Sequence, residues 1–565
     1  MSLLNSSEIL AIQSDFRQPG TSMSIIDSSK GRKRPHTSRS SGDDDDQTDL
    51  PNSTAQNGSS TEMVLSTTGQ NGAHSAANAP GKALKRPAPP RKSHKNTPIP
   101  RQDENYPPGN PDKKTFRNSL KHHPRASQAF VEAFKKGEHI HFHNKKVALH
   151  IWEDGQNYMK KIGDFTGVHL FKSREGLDMK VPKDLGFDTL TDYIPADESI
   201  NVIDGYSGGS QDMTMGDLLE EFKKEIRNHT YNVLSLEFSE INGLNKKFDE
   251  PAFVRQSSIV NVLENVLKSK AAEVERRLKR NYKNPKELGE LLHDKYYYEA
   301  KLKNLPSYQK FLLVSMKNAF TDIHVDLSAT AVYYHVKKGR KVFYVAPPTT
   351  RNLEIYKRYE TAPQDDDIWI GEALFDQWKR VEIQEGFTAI IPSGWIHFVY
   401  TPEDSIVVGG NFLMNQNMEK HFEFTEMEKT SVDLNVIDRS NMFRGFYNVM
   451  WGYADEVLLR NLKNPRLAFG TYNIANDLHK CLESLDLDKE LEPEFDWYTK
   501  KEKEDILKEL NEALNKYLAK KMPPQPETQL IPIPKMTEYG EVIFYLDRDN
   551  LAQYNDSFKR FLFTN

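Results

Sequence analysis

Two histidines and one aspartate constrain this chain most: His324 and Asp326 in Thr321-Asp-Ile-His-Val-Asp326, and His397 in Ile391-Pro-Ser-Gly-Trp-Ile-His397. Residues i and i+2 of a strand point to the same face, so His324 and Asp326 converge while Val325 turns into apolar packing. A third ligand must then come from a neighbouring strand that is distant in sequence, which demands a β fold. His397 sits between the turn signal Pro392-Ser-Gly394 and the apolar run Phe398-Val-Tyr400, as a residue opening such a strand would. Two imidazoles and a carboxylate form the facial triad that holds non-haem Fe(II) and leaves positions open. The first expectation is therefore an oxygenase. Taken alone, His-x-Asp also arises on any strand with exposed polar residues, and its surroundings carry the weight.

Those surroundings are short strands separated by turns: Ala331 to Lys337, Lys341 to Ala346, Phe387 to Ile391, Ile396 to Tyr400 and Ser405 to Gly409. Lys338-Gly-Arg340 reads as a hairpin turn between the first two, and Pro347-Pro348 ends the second. The pattern predicts an α+β protein. Its core is a double-stranded β-helix, or jelly roll, with a small metal site at the mouth, flanking helices and a disordered N-terminal tail. Lys341 is in phase with Phe343 and Val345. On an inward face it would need a partner, which a small dicarboxylate would supply; the alternative is a side chain reaching out at the strand's edge.

The chain resembles the JmjC-domain histone lysine demethylases, nearest to the branch called JmjC domain-containing histone demethylation protein 1. The resemblance rests on Tyr231-Asn-Val-Leu-Ser-Leu-Glu-Phe-Ser239, Thr321 to Asp326, Val332-Tyr-Tyr-His-Val336, Lys341-Val-Phe-Tyr-Val-Ala-Pro-Pro-Thr349, Ile391 to Pro402 and Gly409-Gly-Asn-Phe-Leu413. It is patchier through Leu170-Phe-Lys-Ser-Arg-Glu-Gly176 and from Asn201-Val-Ile-Asp204 to Met215, and covers roughly residues 160 to 430. It implies that His324, Asp326 and His397 bind Fe(II), and that Thr321 and Lys341 hold the distal carboxylate of 2-oxoglutarate. Asn232 and Tyr334 would line the same cosubstrate pocket. Strand parity alone does not select Thr321, three residues from His324, unless the strand bends. Asn411 is placed near the passage of a methylated lysine. Gly409 and Gly410 would admit close approach of a chain, and a plain bulge explains them equally.

The implied chemistry consumes 2-oxoglutarate and O2, oxidises an N-methyl group, and ends in formaldehyde, succinate and the demethylated lysine of histone H3, with lysine-36 the target. The hard step belongs to metal and cosubstrate; the protein supplies geometry, a cation and a channel. Two readings compete with it: a catalytically weak chromatin-binding scaffold, and a protein hydroxylase of the same fold. Two departures from the family stand out, Ser328-Ala329 in place of two glycines and Tyr333 in place of a common tryptophan. The first pair is expected to narrow the substrate channel.

Composition limits the rest. A net charge of -5 over 565 residues gives no global bias towards nucleic acid. No apolar run is long enough to span a bilayer and no signal peptide is evident, so a soluble protein without membrane contact is expected. The single cysteine, Cys481, excludes an internal disulfide and a cysteine-rich zinc-finger reader in this sequence. The expected partner is the histone H3 tail of the nucleosome.

Residues 1 to 125 hold only three aromatics, Phe16, Tyr106 and Phe116, and read as a disordered polar tail. Its basic runs, Gly31-Arg-Lys-Arg-Pro35 and Lys85 to Lys95, suit nuclear import or DNA phosphates, and equally a solvated linker beside the acidic Asp43 to Asp46. The nucleus is the expected compartment. Residues 126 to 245 read as a mixed region leading into the core, 246 to 305 as a helical basic insertion, 306 to 430 as the jelly roll and 431 to 565 as helical. His139, His141 and His143, alternating with Ile140 and Phe142, predict a half-exposed strand. Ser258 to Tyr282 predicts a basic helix, with nucleosomal DNA or plain solvent as its surroundings. Leu507, Leu510, Leu514 and Leu518 predict an amphipathic helix ended by Pro523-Pro524, facing the jelly roll or forming a dimer seam.

Overall fold

The computed structural model describes residues 111–158, 165–205, 209–280, 284–361, 369–433, 442–489, 496–519, 533–536 and 542–545. The basic runs, the tetra-aspartate and Pro523-Pro524 lie outside the described residues.

Among the described residues thirteen strands build two sheets, and Ile533–Met536 pairs with Val542–Tyr545 in a separate two-stranded one. In chain order the thirteen are β1 (Leu149–Trp152), β2 (Val168–Phe171), β3 (Ser199–Asp204), β4 (Ser210–Thr214), β5 (Tyr231–Glu237), β6 (Phe311–Ser315) and β7 (Phe320–His324). There follow β8 (Ala331–Lys338), β9 (Arg340–Ala346), β10 (Lys379–Gln384), β11 (Thr388–Ile391), β12 (Ile396–Tyr400) and β13 (Ser405–Phe412). The large sheet runs β1-β2-β11-β8-β13-β6-β5-β3-β4 and the small one β10-β9-β12-β7. From β6 to β9 and again from β10 to β13 the chain alternates between the sheets, as a jelly roll requires. Between them lies an apolar layer: Val332, Val336, Ala389, Ile391 and Val407 from the large sheet, Phe343, Val345, Val381 and Val399 from the small.

The expected hairpin at Lys338-Gly-Arg340 is a correction. β8 and β9 lie in different sheets, β8 between β11 and β13 and β9 between β10 and β12. Gly339 turns the corner at φ +74°, and a Cβ there would stand 2.0 Å from the Asp404 carbonyl oxygen. A tight glycine turn has the same local signature whether its strands pair or part.

Strands β1 to β5 belong to the large sheet, so the jelly roll is not confined to residues 306 to 430. Packed structure also begins before residue 125. Helix α1 (Lys113–Lys121) is capped by Asp112, whose carboxylate accepts from the Thr115 amide. Its Phe116 is fully buried, against Phe134, Phe142 and Phe375. With α2 (Gln128–Phe134) it covers the outer face of the small sheet, burying Tyr344, Phe398 and Tyr400. One aromatic in a polar segment suffices when it docks on a preformed apolar face.

The predicted strand at His139 to His143 is also corrected. Glu138–His141 is a single helical turn, His141 stacks on Phe116, and only a lone bridge joins His143 to Lys379. Five alternating residues are too few to separate the two periods; burial of Phe142 decides.

Helix α3 (Ile259–Leu278) fits the predicted basic helix, starting at a Ser258 cap. Three of its cations are paired within the chain: Lys268 with Glu264, Lys270 with Glu456, Arg276 with Glu273. It packs on α4 (Pro285–Lys303). The leucine stripe lies on a helix over Lys500–Ala519, where Leu510 and Leu514 are buried and Leu518 is 53 % exposed. It shares an apolar cluster with Val262, Val266, Trp451, Leu458 and Leu478 and packs mainly on the helix over Ala468–Glu483. The stripe faces a helical layer rather than the jelly roll. Among the described residues no helix is long and apolar enough to cross a membrane.

Candidate metal centre

His324 ends β7 and His397 opens β12, and the two residues face each other across the antiparallel pair. Asp326 lies just beyond β7 in extended conformation (φ -59°, ψ 151°), at the start of the turn Leu327–Ala329. The strand expected to carry both residues stops at His324, yet the extended backbone keeps the i, i+2 convergence. Val325 packs with Ile323 in the small sheet's outer core, on the other face. One donor atom from each of His324, Asp326 and His397 falls within 4.8 Å of the others.

Both rings are fixed from behind. Nδ1 of His324 lies 2.8 Å from the Asp322 carbonyl oxygen, and Nδ1 of His397 lies 3.0 Å from that of Trp395. Each Nδ1 therefore carries the proton and donates it, leaving Nε2 with its lone pair. Burial, and then the neighbouring His324, hold His397 down to about 4, so its ring is neutral at physiological pH. Asn411 Nδ2 donates to Asp326 Oδ1 at 2.9 Å and to Thr330 Oγ1 at 3.0 Å, leaving Oδ2 turned to His397 Nε2 at 3.8 Å. Two imidazoles with their Nε2 atoms turned inward and one carboxylate, oriented by outer hydrogen bonds, form a donor set suited to Fe(II).

The trio opens on a cavity of about 560 Å³ that Thr321, Tyr334 and Lys341 also line. Lys341 is 2 % exposed on a strand with neighbours on both sides, so it does not reach out at an edge. Its ammonium donates to Ser315 Oγ (2.6 Å) and Thr401 Oγ1 (2.8 Å). Burial alone pulls it down to about 7. A cation with two neutral acceptors and no carboxylate is set up for an anion from outside.

Ser315 Oγ passes its own proton to Asn232 Oδ1 at 2.6 Å, and Asn232 Nδ2 reaches Thr321 Oγ1 at 3.3 Å. Asn232 is buried behind Thr321 and does not itself line the cavity. Thr321 reaches this chain because β7 bulges: His397 opposes His324, but two residues later Val399 opposes Thr321. The extra residue supplies the bend that strict parity lacked.

Ser328 and Ala329 both take left-handed conformations, φ +49° each. The backbone here has the shape glycine favours, held with side chains attached. Neither residue lines the cavity and both are fully buried, so the expected narrowing of the channel does not occur. Helix α5 (Met418–Asp433) clamps Ser328. Thr425 donates to its hydroxyl, its amide donates to Glu428, and His421 Nδ1 donates to its carbonyl. Gly410 is explained by close approach, since a Cβ would lie 2.0 Å from the Gln309 carbonyl oxygen. That neighbour is the chain itself. Sequence reasoning missed Ser315, Thr401 and Glu428, single polar residues that carry no motif.

No family model matches the chain. It is 30 % identical over 305 residues to lysine-specific demethylase 2A of Xenopus tropicalis, covering 53 % of this chain and 24 % of that protein. It is 32 % identical over 279 residues to JmjC domain-containing histone demethylation protein 1 of Caenorhabditis briggsae (49 % and 24 %). The protein of the same name in Candida albicans matches at 31 % over 293 residues (49 % and 54 %). This chain is similar to the JmjC histone demethylases. The chain spans from about a quarter to about half the length of these curated relatives. The jelly roll with its inward histidines and aspartate is consistent with a JmjC core.

Proposed function

We propose that this protein is an Fe(II)- and 2-oxoglutarate-dependent dioxygenase that demethylates histone H3, with methylated lysine-36 as its target and the nucleus as its place of action. The observation that carries the reading is the pair of imidazoles whose Nδ1 atoms are tied to backbone carbonyls, so that both Nε2 atoms face one carboxylate. His324, Asp326 and His397 hold the metal. Lys341 meets the distal carboxylate of 2-oxoglutarate, Thr321 adds a hydroxyl, Asn232 orients Thr321, and Tyr334 forms the wall beside them. Bound there, iron with 2-oxoglutarate and oxygen supplies oxidation of the N-methyl group, whose hemiaminal releases formaldehyde. The protein's part is to fix three ligands, neutralise the cosubstrate and shield the site in a mostly apolar cavity. Similarity to proteins named histone demethylases supports the substrate class, and Arg277, Lys279 and Arg280 at the C-terminal end of α3 would touch DNA without regard to sequence.

Purified protein is expected to remove methyl groups from a lysine-36 peptide in a panel of methylated H3 peptides, only with Fe(II) and 2-oxoglutarate, as read by mass spectrometry. No methyl loss on any peptide would overturn the proposal.

Two further outcomes follow from the same geometry. Asn411→Ala frees Asp326 to rotate and is expected to weaken metal affinity about 10- to 100-fold, as loss of an outer-shell partner does; metal titration monitored by tryptophan fluorescence reads it. Cosubstrate binding should also depend on pH. The free Lys341 sits near 7, and an anion is met by its charged form. Affinity is therefore full below about pH 7 and falls about tenfold per unit as pH rises above it, which calorimetric titration of 2-oxoglutarate measures.

A further inference from the structure

On α5, one turn apart, Glu428 and Ser431 line the same cavity as the metal trio. Glu428 is 7 % exposed and Ser431 1 %. Glu428 Oε1 is held by the Ser328 amide at 2.6 Å. Its Oε2 and the Ser431 Oγ have no hydrogen-bond partner. Around them the wall is apolar and aromatic, with Tyr308, Phe311, Tyr356, Phe424 and Met427. A buried carboxylate oxygen and a buried hydroxyl left without partners cost free energy unless a ligand satisfies both, and Glu360, which lines the same cavity, adds a second acid near Glu428.

We propose that Glu428 and Ser431 receive the methylated ammonium of the substrate and select for one that still carries an N–H. This rests on the demethylase reading and adds the group that chooses the methylation state. A mono- or dimethylated ammonium donates its N–H to Glu428 Oε2, its positive charge offsets the carboxylate, and Ser431 adds a second acceptor. A trimethylated ammonium has no N–H, and its third methyl group would be pressed against the oxygen. Aromatic walls suit the methyl groups of either. Burial pushes Glu428 up to about 8, as expected of a carboxyl with no cation beside it, so the empty site favours the acid form and the arriving ammonium draws it to the carboxylate. The left-handed turn at Ser328 and Ala329 brings the Ser328 amide to Oε1, so the loop that follows Asp326 also aims the selecting group.

The test is equilibrium binding of fluorescent H3 peptides, mono-, di- and trimethylated at each candidate lysine, to the full chain loaded with Mn(II) and 2-oxoglutarate. Wild type is expected to bind a dimethylated peptide at least about tenfold tighter than its trimethylated counterpart. Glu428→Gln, which keeps the Ser328 hydrogen bond, should weaken dimethyl binding about 10- to 100-fold and trimethyl binding, which loses only the charge attraction, by several-fold less. Ser431→Ala should weaken it about 2- to 10-fold. Unchanged 2-oxoglutarate affinity and melting temperature show that each variant is folded. Equal binding of di- and trimethylated peptides by wild type, or equal losses for both in Glu428→Gln, would overturn the inference, as would absence of binding to any methylated peptide. Selective binding without methyl loss would spare it and sink the demethylase reading instead.

Discussion

His324→Ala is expected to lose turnover by at least about a thousandfold, because the metal supplies several kcal/mol of stabilisation to the reaction. On the proposed reading the imidazole is one of three ligands, and its ring is already aligned by the Asp322 carbonyl. The fold should survive. His324 is half-buried at the end of β7, and its removal leaves the register of β7 against β12 and the aromatic core behind β7 in place. The measurement is iron content and formaldehyde release side by side. Loss of iron with an unchanged melting temperature supports a ligand; full iron occupancy with lost activity would assign His324 a different part.

Lys341→Met is the second large effect, and it moves activity and stability in opposite directions. Removing one partner of a buried charge pair costs about 3 to 5 kcal/mol, so the KM for 2-oxoglutarate should rise about 100- to 5000-fold. Without cosubstrate the same change should stabilise the protein. Lys341 is depressed from 10.5 to about 7 by burial. Its charged form is therefore disfavoured in the folded state. That penalty is full below about pH 7 and disappears as pH rises through the unfolded value. The gain in melting temperature should be largest in mildly acidic buffer and shrink above pH 7. A residue whose loss stabilises the fold and disables the enzyme is one retained for function.

How far the sequence reaches can be judged from these residues. The convergence of His324, Asp326 and His397 was legible because these residue types are the ones suited to a metal, and strand parity fixes their relative facing. Lys341 was legible for a similar reason, a charge in phase with Phe343 and Val345. Thr321 was not, because its position depends on a bulge in β7 that neither Asp322 nor Ile323 announces. Ser315 and Thr401 were hidden for another reason: a hydroxyl that accepts from a buried lysine looks like any other strand serine or threonine. Gly339 announced a turn, but whether the strands around it pair or part is decided by contacts on both sheets. Glu428 lies about a hundred residues beyond Ser328 on a helix, and only the folded chain brings them together. Local chemistry was readable, and the contacts made between distant elements were not.

Demethylation and hydroxylation separate when an H3 lysine-36 peptide with isotopically labelled N-methyl groups is supplied with Fe(II), 2-oxoglutarate and oxygen, and labelled formaldehyde is counted against succinate. One labelled formaldehyde is expected for each succinate formed on the peptide, with a peptide that has lost the matching methyl groups. Succinate formed with no labelled formaldehyde, and a peptide that has kept its methyl groups and gained oxygen, would overturn the demethylase reading and identify a hydroxylase built on the same jelly roll.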